Sequence, residues 1–387
     1  MSYQVISADT HLDLRWVPPD LFVSNAPKGL KQRMPRVQDT DKGTRWIVDG
    51  KDFCSAGGGG FGAGDREEYV PGESRHLDRM AQVGFYDGVG RGVYHPVDPG
   101  LRIKDQDIDG VNAEVIYGVL GVGGGMLGAS GPKAGVLTAI YDIYNEFAAD
   151  LVKADPQRLV ALACLTGHDP QVSARQLRRG AELGLRGAEI NVSQMGRPIY
   201  HEDWNILWAT AAECSMPISF HTLGLSWRQP DPQEHEKYRW VNLGLLFVLF
   251  QLSGAEFLTA ILLSGACEQY PNFRFVLGEC GVGWLPYVLE RTDFEYEDRL
   301  FHLGLELKPT DYWRRQGYST FQQEYMSMDE IQRIGVDNIM WGSDYPHPDG
   351  VFPDSRKAIQ EGMGHLPEEV RHTIVCENAA RLYRFDH

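Results

Sequence analysis

The chain has 387 residues, 43% of them apolar, and 53 acidic against 37 basic side chains, a formal net charge of −16. That apolar share excludes a disordered chain, which combines low hydrophobicity with high net charge. The acidic surplus argues against a nucleic-acid backbone or an anionic membrane surface as partner, since both demand clustered Lys and Arg.

Met1–Ala8 has no basic stretch followed by an apolar one, so no signal peptide is expected. Short apolar runs follow, each ending in a polar residue or a turn: Val5–Asp9, Ala113–Tyr117, Leu159–Leu165, Gly187–Asn191, Pro217–His221, Phe273–Glu279 and Asn338–Asp344. Continuous rather than alternating apolar runs suit strands buried on both faces, as in parallel sheets. Helical patterns lie between them: Val136–Ala154 closed by Asp155-Pro156, Val172–Leu183 closed by Gly184, and Trp204–Cys214. A weaker strand at Tyr318–Phe321 raises the count to eight, and Pro367–Arg384 reads as a closing helix. Eight β/α units predict an α/β protein of the (β/α)8 TIM-barrel type, a single domain over residues 1–387.

Two stretches break the rhythm, 45–110 and 222–270, and both follow strand ends, where barrel enzymes build pockets and lids. The first contains Gly57–Gly60, read as a loop because no GK[ST] follows. The second opens with Trp227, Arg228, His235, Arg239 and Trp240 and continues into an apolar helix, Leu243–Leu263. The most apolar part, Leu243–Phe250, is too short to span a bilayer, which needs about 20 residues. The six cysteines (Cys54, Cys164, Cys214, Cys267, Cys280 and Cys376) form no CxxC pair and read as free thiols in a reducing compartment. A cytoplasmic protein is expected. The apolar helix is a candidate oligomer face, with a homodimer the commonest closed assembly.

The chemistry lies in the residues that end the runs. Asp9-Thr10-His11-Leu12-Asp13 closes the first, and alternation along a strand puts positions 9, 11 and 13 on one side. His221 ends the fifth run, Glu279 the sixth and Asp344 the last. Singly, each has an ordinary explanation as a cap, turn former or surface residue. Together they carry more weight, because imidazole and carboxylate are the usual ligands of Zn²⁺ and Mn²⁺ and a barrel gathers its strand ends at one face.

Three blocks carry a family resemblance: VISADTHLDLRWVPPDLF at Val5–Phe22, FRFVLGECGVGWLPYVLERTD at Phe273–Asp293 and MWGSDYPHPDGVFPDSR at Met340–Arg356. They resemble the amidohydrolase-2 family, metal-dependent barrel enzymes that include aminocarboxymuconate-semialdehyde decarboxylase. The resemblance implies one divalent metal, Zn²⁺ ahead of Mn²⁺, on Asp9, His11, His221 and Asp344, with His11/Asp13 as the alternative first-strand pair. Decarboxylating members have a His at the end of the sixth strand, where this chain has Glu279 within Gly278-Glu279-Cys280-Gly281. That departure favours hydrolysis by metal-activated water, with Asp344 first and Glu279 second as proton shuttle and His347 at the rim. Decarboxylation of an aromatic or unsaturated acid is the alternative, and an inactive ligand-binding barrel a third. The expected substrate is small, carboxylated or aromatic, gripped by Trp227, Arg228 and Arg239.

Overall fold

In the computed structural model, residues 4–56, 69–72, 74–119, 132–192, 195–221, 241, 244–245 and 248–385 are described. The first apolar run forms β1 (Ile6–His11), buried throughout. A short helix, α1 (Leu21–Asn25), follows. Next comes an antiparallel three-stranded sheet: β2 (Arg36–Thr40), β3 (Gly43–Val48) and β4 (Lys51–Ser55). Asp49 and Gly50, at φ 50° and 79°, make the β3–β4 turn, the left-handed pair that tight hairpins need. This sheet corrects the reading of the first interruption: position 45 falls inside β3, so the interruption starts before it and has strands of its own. Helices α2 (Arg75–Gln82) and α3 (Pro99–Asp109) complete it. Asp98 caps α3 by accepting from the N–H groups of Gly100 and Leu101, and Gly110 ends it at φ 78°.

The barrel then runs in alternation. β5 (Ala113–Tyr117), α4 (Pro132–Val152), β6 (Leu159–Leu165), α5 (Pro170–Leu183), β7 (Gly187–Ile190), α6 (Asn205–Cys214) and β8 (Ile218–His221) follow in order. After β8 come α7 (Ser253–Leu263), α8 (Ala266–Gln269), β9 (Phe275–Gly278), α9 (Leu285–Glu295), α10 (Pro309–Gln316), β10 (Gly317–Phe321), α11 (Met328–Ile334) and β11 (Ile339–Trp341). Helix α12 (Ser355–Met363) leads to a closing segment of α13 (Glu368–His372) and α14 (Asn378–Tyr383), joined by a π-turn at Thr373–Glu377 within the helix expected there. Gly184, at φ 89°, ends α5 as its position after the last apolar residue implies.

Eight strands pair in parallel in the order β1-β5-β6-β7-β8-β9-β10-β11. The last returns to the first beyond its end: Asp344 N–H donates to the Asp9 carbonyl at 2.9 Å, and His11 N–H to the Tyr345 carbonyl at 2.6 Å. This is the nearly closed (β/α)8 barrel that the strand–helix alternation predicts. Its core includes Tyr383 of α14: a Cβ on Gly187 would stand 3.1 Å from that ring and 2.7 Å from the Leu162 side chain, so any larger residue there must displace both. All five described cysteine side chains are free thiols. Among the described residues no helix is long and apolar enough to cross a membrane.

Candidate active site

The strand ends converge as the sequence implies. β1 reaches the centre through an irregularity: Ser7 pairs with Glu114 but Thr10 with Ile116, so β1 has one residue more than its partner between those points. Such a bulge re-aims the side chains beside it. Asp9 and His11 face the barrel axis, with Asp9 Oδ1 3.3 Å from His11 Nε2. His221, from the end of β8, brings its Nε2 to 3.7 Å from the same oxygen.

Asp344 and Glu279 follow the ends of β11 and β9 with φ of 56° and 51°, in the left-handed region that non-glycine residues seldom occupy. Such conformations cost about 1–3 kcal/mol and persist only where neighbours enforce them. Here Asp344 is tied to the Asp9 carbonyl, and Glu279 N–H donates to Thr320 Oγ1 at 2.6 Å. The same hydroxyl donates to Asp9 Oδ2 at 2.7 Å, so one threonine on β10 braces both acids. Asp344 Oδ1 lies 3.0 Å from His11 Nε2, and Glu279 Oε2 lies 3.4 Å from His221 Nε2.

Asp9 Oδ1, His11 Nε2 and both carboxylate oxygens of Asp344 are buried and make no hydrogen bond. Buried polar atoms left in this way cost free energy unless a further partner meets them. The donor atoms form two groups that share His11, one of Asp9, His11 and His221 and the other of His11, Glu279, Asp344 and His347; within each the atoms lie within 4.8 Å of one another, a spacing that suits a divalent cation.

Electrostatics sort the groups. Burial would raise the Asp9 carboxyl, but the facing imidazoles of His221 and His11 outweigh it and hold it well below the usual carboxylate range. Burial and the neighbouring His347 oppose charge on His11, yet Asp344 and Asp9 prevail and lift it to about 9. Glu279 behaves oppositely: burial, then repulsion from Asp344, pushes it well above its ordinary value. Gln322 Nε2 donates to its Oε1 at 3.4 Å.

Asp13 does not join the first-strand pair. Its Oδ2 lies 3.0 Å from His347 Nε2, and His347 Nδ1 lies 2.9 Å from Asp344 Oδ1. The alternative His11/Asp13 pair is therefore not the one that faces His221. His347, expected at the rim, is buried and linked to the cluster instead. Trp227, Arg228 and Arg239 lie outside the described residues, as do His235 and Trp240. Thr320 escaped the sequence reading because its strand was recognised only weakly and a threonine carries no metal-ligand signature. Gly278 did too: a Cβ there would stand 3.0 Å from both the His221 ring and the Tyr117 hydroxyl.

Known proteins share this architecture. A γ-resorcylate decarboxylase from Polaromonas sp. (strain JS666 / ATCC BAA-500) is 29% identical over 217 residues, covering 52% of this chain; the chain spans 64% of that enzyme, a little under two thirds. The crystal structure of an amidohydrolase from Mycobacterium avium subsp. paratuberculosis K-10 superposes with a TM-score of 0.73 at 17% identity, covering 99% of this chain and all of the other (100%). A 5-carboxyvanillate decarboxylase from Novosphingobium aromaticivorans DSM 12444, solved with bound manganese, superposes with a TM-score of 0.66 at 19% identity, covering 99% of this chain and 98% of its own. The model of the amidohydrolase family matches residues 120–385, more than half of the sequence, and the chain belongs to that family.

Proposed function

We propose that this protein is a divalent-metal-dependent carboxy-lyase that removes CO₂ from a small aromatic acid. Asp9, His11, His221 and Asp344 would hold the metal. The observation that carries the reading is the pair of buried donor groups that meet at His11, Asp9–His11–His221 and His11–Glu279–Asp344–His347, in which oxygens of Asp9 and Asp344 and the Nε2 of His11 make no hydrogen bond. When bound, the cation would supply positive charge that anchors the substrate carboxylate and a neighbouring oxygen.

Decarboxylation needs a proton on the ring carbon that loses CO₂. Glu279 is suited to hold it, because burial and Asp344 raise its affinity for a proton. The ring carbon takes that proton, the electron pair of the breaking C–C bond stays with the ring, and water restores the acid. The missing strand-six His is then a replacement of one proton carrier by another. Hydrolysis, favoured on sequence alone, uses the same ligands and is the second reading. The decarboxylase names of the Polaromonas relative and the Novosphingobium neighbour support the first. Two carboxylates and two imidazoles suit Mn²⁺ as well as Zn²⁺, and the manganese of the Novosphingobium enzyme supports trying both. Trp227, Arg228 and Arg239 stay the proposed grip on the substrate, and a cytoplasmic homodimer the proposed form.

The test uses protein purified without chelator and loaded with Mn²⁺ or Zn²⁺, offered a panel of hydroxybenzoic acids in D₂O. The expected result is metal-dependent CO₂ release with one deuterium on the product ring, lost in His221→Ala. Turnover of lactones or amides with no action on aromatic acids would overturn the reading.

A further inference from the structure

Arg102 is wholly buried on α3, outside the cluster of candidate ligands, and each of its N–H groups has an acceptor. Nε donates to Glu114 Oε1 at 2.6 Å and Nη2 to Glu114 Oε2 at 3.0 Å, a bidentate pair. Nη2 also donates to Thr10 Oγ1 at 2.9 Å, and Nη1 to the carbonyls of Pro96 at 2.9 Å and His11 at 3.0 Å. The Thr10 hydroxyl passes its own proton to the Val115 carbonyl at 2.9 Å. These contacts fall just past the bulge, where β1 departs from regular pairing. Three residues further along α3, and so on the same face, Asp105 accepts from the Tyr345 hydroxyl at 2.7 Å. Tyr345 follows Asp344 and lies under the guanidinium, 5.1 Å from ring centre to Cζ. One helix of the inserted segment thus holds the end of β1 and the residue that follows Asp344, beside two of the candidate ligand acids.

We propose that Arg102 is a positioning residue of the metal centre: it fixes the bulged end of β1, and with it the carboxylate of Asp9 and the imidazole of His11. This rests on the ligand assignment above. The inserted segment is then part of the frame of the site. Groups that orient metal ligands typically change affinity 10- to 100-fold when removed.

The test is the dissociation constant for Zn²⁺ and Mn²⁺, read by competition with a chromophoric chelator, beside the melting temperature of the metal-free protein. Four variants are compared with wild type: Arg102→Lys, the double variant Arg102→Met with Glu114→Gln, Thr10→Val and Thr10→Ser. The double variant leaves no unpaired buried charge, and the Thr10 pair differs chiefly in the hydroxyl. Metal affinity should weaken by about 10- to 100-fold in Arg102→Lys, the double variant and Thr10→Val. Thr10→Ser should retain wild-type affinity. Unchanged affinity in every folded variant would overturn the proposal, as would equal loss in Thr10→Val and Thr10→Ser. If the Arg102 variants do not fold, the Thr10 pair decides. Wild-type protein that binds neither metal would instead refute the ligand assignment.

Discussion

The ring of His347 stacks on that of His11, 3.9 Å between centroids and 20° from parallel. The stack holds His347 where one nitrogen meets Asp13 and the other Asp344, making a carboxylate–imidazole–carboxylate chain that ends on a candidate ligand. Asp13 is held down to about 2, chiefly by His347 against the effect of burial. Asp13→Asn keeps the side chain's size but removes its charge, and with it one of the two carboxylates that flank His347. Activity should fall about 10- to 100-fold, as for other groups that support a ligand, with far-ultraviolet circular dichroism unchanged. Activity equal to wild type would show that the chain orients nothing that matters.

The chain also sets a pH dependence for metal uptake. His11 titrates near 9 in the metal-free protein, so its imidazole is protonated at pH 7. Coordination requires the neutral ring, and binding must displace that proton. Apparent affinity should therefore rise with pH throughout the range below about 9, by up to tenfold per unit for each proton released, and flatten above. Metal-free stability has the opposite sign: a raised imidazole stabilises fully below its unfolded value near 6.5 and loses that contribution as pH climbs through about 9. Isothermal titration in buffers of different ionisation enthalpy counts the protons, and zero release at pH 7 would contradict the assignment of His11.

Thr320 gives a sharper test of how the acids are held. Thr320→Val is nearly isosteric but removes both the donor to Asp9 Oδ2 and the acceptor for Glu279 N–H. Leaving those buried groups unsatisfied should cost about 1–3 kcal/mol each at most, read by denaturant unfolding of the metal-free protein. Metal affinity should weaken as well, because Asp9 loses the bond that turns its other oxygen towards His11. Full stability and affinity in the valine variant would mean that water takes over both roles.

Much of this was legible in the sequence, for a physical reason. Parallel barrel strands are buried on both faces and read as continuous apolar runs, so polar residues at their ends stand out. Asp9, His11, His221, Glu279 and Asp344 were visible on that ground alone. The β2–β4 sheet was passed over although Asp49-Gly50 signalled its turn, because glycines and charges nearby drew the eye to a loop. Arg102 and Thr320 could not be read at all. Their partners Thr10 and Asp9 are 92 and 311 positions away in the chain, and an Arg on a helix or a Thr on a strand looks ordinary until the barrel closes.

Close packing behind the cluster predicts a steric lesion. A Cβ on Gly342 would lie 2.5 Å from the Asp9 Cβ and 3.1 Å from its backbone nitrogen, both inside a closed barrel seam. Gly342→Ala must push β1 away from the last strand. Overpacking of this kind costs about 1–3 kcal/mol, and here it should also loosen metal binding because Asp9 is the residue displaced. A stable, fully metallated alanine variant would show that the seam yields without moving the carboxylate.

Glu279 decides whether the acid at the strand-nine end carries the proton. Its raised affinity for a proton comes from burial first and from Asp344 second, which favours the neutral acid. Glu279→Gln preserves shape but has no acidic proton to give. If Glu279 protonates the departing ring, kcat should drop about 10²- to 10⁴-fold. Metal content should stay near wild type, and KM should change little, because the carboxamide leaves Asp9, His11, His221 and Asp344 in place. A loss confined to metal content would instead make Glu279 a further ligand, which its 3.4 Å approach to His221 Nε2 permits. Measuring metal stoichiometry and single-turnover CO₂ release on the same preparation separates the two: a proton donor loses its rate while the cation stays bound, and a ligand loses the cation itself.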